Sequence, residues 1–195
     1  MKKLAKYKGV FIILVLAALI IMYYRHMSNI TKGKEDEEVV QELTAVETVL
    51  DRNLTTNYPQ SPKEVVKYFS EITQCFYNED YSEEELEKLA DKMLLLYDDE
   101  LVDYKNHQDY LFDLQTDINY YKLNNYKISS FTPSPSTDVE RFTQDGYEWA
   151  RTWCVYTIKS GKFYKVIQEV FILRKDEKSH WRIYGWKLVE DEEET

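Results

Sequence analysis

Five polar side chains sit inside stretches dominated by apolar and aromatic residues. Arg151, Thr152 and Tyr156 lie in residues 147–158, and Gln168 and Glu169 in residues 163–174. A buried arginine with a carboxylate nearby recognises anions through its planar fork of donors. A tyrosine hydroxyl and a glutamine amide can orient what it holds. Arg151, Tyr156 and Gln168 are therefore expected to line a ligand cavity. The competing expectation for the arginine is a structural ion pair bridging neighbouring strands.

Other chemistry is poorly represented. The chain has no GxGxxG, P-loop, HExxH, GxSxG or CxxC pattern. Its three histidines, His26, His107 and His180, are never four residues apart, so no helical metal pair exists, and each is expected to be solvated. Carboxylates cluster at 83–85, 98–100 and 190–194, without the ligand order or glycine of an EF-hand. They read as solvated faces and an acidic tail. Asn29 and Asn53 open glycosylation sequons, a pattern common by chance. Cys75 and Cys154 match no zinc or redox spacing. Two buried free thiols are expected, although a disulfide is permitted outside the cytoplasm. No catalytic residue, metal or cofactor is assigned.

The elements that must position these residues begin after a distinctive N-terminus. Residues 9–24 read GVFIILVLAALIIMYY without a charge. At 1.5 Å per residue they span about 24 Å, and Lys8 and Arg25 can snorkel at the ends. No small-residue cleavage site follows the run, which points to an uncleaved anchor over 9–25. Four lysines precede it within eight residues, so the positive-inside rule puts residues 1–8 in the cytoplasm and the remainder outside. The bilayer is thus the first expected partner.

Charge supports a division of labour. The chain carries 25 basic and 35 acidic side chains. Seven of the basic ones, and no acid, fall in residues 1–34, which leaves 18 against 35 and a net of −17 beyond them. A domain this acidic repels nucleic-acid backbones, so no nucleic-acid partner is expected. With 44% apolar and 15% aromatic residues, including seventeen Tyr, the chain has enough for a core.

Residues 26–60 read as a tether and an amphipathic helix with Val39, Leu43, Val46 and Leu50 on one stripe. A domain follows over 61–189, and an acidic tail over 190–195. Ser61 with Pro62 and Glu64 opens one helix, and Ser82 with Glu85 opens another. A third is expected over 106–123. The period then changes to strands at 126–132, 139–143, 147–158, 163–174 and 181–188. Asp145-Gly146 and Ser160-Gly161 mark turns between antiparallel neighbours. The strand at 163–174 is apolar on both faces, so a partner is expected on the face that the helices leave: a second copy or an envelope protein. A sheet curled over itself is the alternative. Trp181, Tyr184 and Trp186 are expected to face Trp149 and Trp153.

Helices followed by a long antiparallel meander resemble the NTF2-like cone fold, an α+β architecture with helices on a curved sheet. The stretches YPQSPKEVVKYFSEI, YNEDYSEEELEKLADKM, DGYEWARTWCVYTI and QEVFILRKDEKSHWRIYGWKL resemble an uncharacterised family of single-pass membrane proteins of Gram-positive anaerobes, over roughly residues 55–189. That resemblance implies location and fold, and no activity. The expectation drawn is a membrane-anchored, non-enzymatic binding or assembly module. The alternatives are a small-ligand sensor or carrier using the cone cavity, and a cofactor-free enzyme of the same fold.

Overall fold

The computed structural model describes residues 43–103 and 106–189, with Met22 alone before them. The anchor stretch 9–25 otherwise lies outside the described residues, as do the tether, residues 36–42 of the amphipathic helix and the tail at 190–195. Among the described residues no helix is long and apolar enough to cross a membrane. The compact unit considered below starts at Leu43.

It begins with helix α1 (Ala45–Asp51), set by a capping box. Thr44 accepts from the Glu47 amide at 3.1 Å, and Glu47 accepts from the Thr44 amide at 2.8 Å. Val46 and Val49 are buried, so this helix packs onto the domain. Helix α2 (Pro62–Asn78) starts where Ser61 accepts from the Glu64 amide and Pro62 occupies the first turn. Its stripe of Val65, Phe69, Ile72 and Phe76 is buried, as the spacing predicts. Helix α3 (Glu83–Leu94) opens on the Ser82–Glu85 capping box and buries Leu86, Leu89 and Met93. A short helix α4 (Asp99–Asp103) precedes α5 (His107–Leu123), which Asn106 caps by accepting from the Gln108 amide.

Five antiparallel strands follow: β1 (Tyr126–Pro133), β2 (Glu140–Gln144), β3 (Tyr147–Ser160), β4 (Phe163–Lys175) and β5 (Trp181–Leu188). The order is β1-β3-β4-β5, and β2 continues the β1 edge along the first half of β3. At the β2–β3 turn Asp145 and Gly146 both have positive φ, 52° and 82°, the conformation Asp-Gly adopts at low cost. Gly161, with φ 59°, opens the two-residue β3–β4 turn. Bulges between Ile128 and Ser130 and between Ile172 and Leu173 help the sheet curve. Beyond β5 the chain at 96–98 joins the edge, with Ile183 donating to Leu96 O and Asp98 donating to Ile183 O, both at 2.8 Å.

The helices cover one face only. On it lie Ala150, Cys154 and Tyr156 of β3 and Phe171 and Leu173 of β4, all buried. The other face closes over itself near the β2–β3 turn, where Phe142 stacks on Trp149 and Tyr184 meets Trp149 edge-on at 5.0 Å. It stays open towards the β3–β4 hairpin, where Tyr164 and Val166 are 62% and 64% exposed. The expected cluster of all five rings does not form. Trp186 instead packs under the helices, with Phe69 at 5.3 Å and Tyr97 at 5.4 Å. The Ile172/Leu173 bulge leaves Tyr184 outside the paired register and turns it towards Trp149.

Candidate functional site

Between α2, α5 and the helix-facing side of the sheet lies a cavity of about 330 Å³. Spacing explains its walls. Phe69, Thr73, Phe76 and Tyr77 fall at helical intervals on α2, and Tyr110, Leu114, Asp117 and Tyr121 do so on α5. Tyr156 and Ile158 of β3 and Ile167 and Glu169 of β4 supply the sheet side with period two. Tyr77 and Tyr121 stack across the helices, with centroids 3.9 Å apart and planes 16° from parallel.

Glu169 is the unusual member. Its cross-strand neighbour is Cys154, and it shares the inward side of β4 with Ile167, Phe171 and Leu173. No hydrogen bond or ion pair to a described residue satisfies its carboxyl, and burial alone pushes its pKa from 4.5 up to about 7. Burial likewise raises the phenol of Tyr77 well above its ordinary range and also raises that of Tyr121, and the Glu169 charge adds to both. A carboxyl so placed can serve as a counter-charge to a ligand or carry a proton near neutral pH.

Tyr156 lines the cavity, as expected, but its hydroxyl is engaged. It lies 2.7 Å from the Ser70 hydroxyl, which donates to Val66 O at 2.8 Å and sits 3.5 Å from Cys154 Sγ. Burial raises this phenol too. Tyr156 therefore offers its ring rather than a free proton.

Arg151 and Gln168 are not brought to Tyr156. They lie on the opposite face of the sheet, around a shallow depression of about 230 Å³ shared with Asp138 and Trp153. The Arg151 side chain is 57% exposed and pairs with Glu140 at 3.8 Å, its register partner on β2. This is the strand-bridging ion pair. The parity of β3 decides it: residues 150, 152, 154 and 156 face the helices, and 151 faces away. Glu169 was identifiable by the same count, since it alternates with Ile167 and Phe171. Asp113 and Asp117 at the cavity gave no such signal, because carboxylates four apart on a helix read as a solvated face.

A second charged cluster is structural. Asp98, 3% exposed, grips the Arg174 guanidinium at 2.5 and 2.9 Å, and Glu100 joins at 2.7 Å. The rings of Tyr147, Trp149 and Tyr184 surround that guanidinium at 4.7, 5.6 and 5.2 Å. Of the carboxylate clusters seen in the sequence, the one at 98–100 thus forms this ion-pair network, and at 83–85 Glu84 pairs with Lys88 on the exposed surface of α3. Among the described residues no group of His, Cys, Asp and Glu is arranged to hold a metal. His107 is exposed at the start of α5, while His180 stacks on Tyr58 at 4.3 Å. Cys75 and Cys154 are buried free thiols, and burial pushes the Cys75 pKa to about 11.

A family model described as "Domain of unknown function (DUF6715)" matches residues 1–186. None of the curated proteins matches the chain. The chain belongs to the DUF6715 family.

Proposed function

We propose that this DUF6715 member is a membrane-anchored, extracytoplasmic, non-enzymatic binding module that holds a small ligand in the cavity between its helices and its sheet. One observation carries this reading: a carboxyl without a partner, Glu169, inside an aromatic cavity of about 330 Å³. Protein interiors are close-packed, and an unpaired ionisable group inside one is costly. Such a group persists where a ligand uses it. Helices followed by a curved meander around a cavity favour the NTF2-like cone. The charge-free stretch at 9–24, with four lysines before it, supports the anchor over 9–25 and its orientation.

Native mass spectrometry of the full-length protein, purified from its host and released from detergent, tests the binding role. A small-molecule adduct of constant mass is expected. Bare protein in every preparation would end this reading. Protease added to intact spheroplasts tests the topology: digestion of the domain is expected, and protection until lysis would refute it.

Two further readings each have an observation behind them. Glu169 near pKa 7 suits a cofactor-free proton-transfer enzyme, and recovery of the bound molecule chemically altered after incubation would replace the first reading with that one. The exposed Tyr164 and Val166, on the outer face of the sheet near the β3–β4 hairpin, suit assembly with a second copy or an envelope protein. Crosslinking in the membrane, with probes at those two positions, would show a stoichiometric product if that surface is an interface.

A further inference from the structure

We propose that the ligand of this cavity is an organic ammonium cation, held by the Glu169 carboxylate and by the faces of the surrounding tyrosines; the inference rests on the cavity being a binding site. The described lining residues include Asp113, Asp117 and Glu169, and none of them is Lys, Arg or His. An anionic ligand would meet three carboxyls and no basic side chain. A neutral ligand would leave Glu169 either ionised without a partner or held protonated against solution at physiological pH. A cation satisfies the carboxyl and the rings together, because the electron-rich faces of tyrosine attract positive charge most strongly where water is displaced.

The same domain shows this arrangement with a cation of its own. Arg174 is held by Asp98 and Glu100 among three aromatic rings, at 4.7–5.6 Å from their centroids. The cavity repeats that wall chemistry with Tyr77, Tyr97, Tyr121 and Tyr156 around Glu169, in a volume that suits a ligand of about ten heavy atoms.

Binding is coupled to a proton. With Glu169 at about 7 in the ligand-free protein, a cation selects the ionised form. Affinity rises about tenfold per pH unit below 7 and levels off above it. The titratable groups facing Glu169 from the helices are Tyr77 on α2 and Tyr110, Asp113, Asp117 and Tyr121 on α5. Tyr97 joins them from beyond α3, and β3 adds Tyr156 and Cys154. Burial raises the pKa of each of these tyrosines and of Cys154, so they stay neutral through this range.

Isothermal titration of the full-length protein in maltoside micelles tests this with matched probes. Choline is paired with 3,3-dimethylbutan-1-ol, its uncharged isostere, and cyclohexylammonium with cyclohexanol. At least one cation is expected to bind about tenfold or more tightly than its neutral partner. Glu169→Gln is expected to abolish that preference while still unfolding cooperatively. Equal binding of cation and isostere, failure of both cations to bind, or a preference that survives in Glu169→Gln would each overturn the inference. The cavity reading is judged separately, by the adduct in native mass spectrometry. A neutral adduct would keep that reading and end this one.

Discussion

Replacing Glu169 with Gln should stabilise the domain at alkaline pH and leave it nearly unchanged in acid. The carboxyl titrates at about 7 in the folded protein and near 4.5 in the unfolded chain. Below pH 4 both states are protonated, and Glu169 contributes no pH dependence. Between 4.5 and 7 the unfolded chain has released its proton while the folded one retains it, so stability falls as pH rises. Above 7 the loss is complete. At about 1.4 kcal/mol per unit it amounts to about 3 kcal/mol. Gln keeps the shape and cannot ionise, so other titrating groups cancel when the two proteins are compared. All four tryptophans lie between residues 149 and 186, which makes their fluorescence a reporter of this domain alone. Thermal unfolding of the full-length protein in acetate or phosphate, free of amine buffers, should give a variant melting roughly 6–12 °C above the parent at pH 8, and within about 2 °C of it at pH 4. A difference that does not change with pH would show that Glu169 is neither buried nor unpaired, and the reasoning would fail.

Other consequences follow from the same contacts. Asp98→Ala should cost about 3 kcal/mol in denaturant unfolding, because Arg174 keeps only Glu100 and three rings around a desolvated charge; a loss below 1 kcal/mol would mean that the pair is solvated. Tyr156→Phe should cost about 1 kcal/mol by removing the hydrogen bond to Ser70, yet leave the affinity of the probe cation that binds within about twofold, since the ring remains. A larger loss of affinity would give the hydroxyl a role in binding. In non-reducing conditions both cysteines should resist a thiol reagent in the folded protein and both should react after denaturation, because burial holds Cys75 and Cys154 in the thiol form. Recovery of fewer than two thiols would reveal a disulfide.

Local chemistry was legible in this sequence, and long-range pairing was not. Ser61 and Ser82 cap the helices that their spacing to Glu64 and Glu85 announces, because a cap is decided within four residues. Asp145-Gly146 places its turn for the same reason. Helix α4 escaped notice because five residues without a buried side chain carry no periodicity. The Asp98–Arg174 pair joins residues 76 apart and depends on segment 96–98 docking beside β5, which no local pattern encodes. For the site, chemistry alone misled. Arg151 and Gln168 suited a ligand by type, but β-strand parity puts them on the face away from the helices, and Glu169 takes the place in the cavity expected of its neighbour Gln168. The two-faced apolar pattern of β4 likewise has two outcomes along one strand. Near its end the outer face is closed by Trp149, Tyr184 and Arg174, and near the hairpin it lies open at Tyr164 and Val166.

The central claim is that Glu169 is an ionisable group facing a ligand inside the cavity. Carbon-13 NMR of glutamate side-chain carboxyls, titrated alone, with choline and with cyclohexylammonium, tests it most directly. The account predicts one resonance that titrates near 7, is missing in Glu169→Gln, and moves to lower pH when at least one of the two cations is added. Carboxyls that all titrate below 5, or a resonance near 7 that both choline and cyclohexylammonium leave in place, would contradict it.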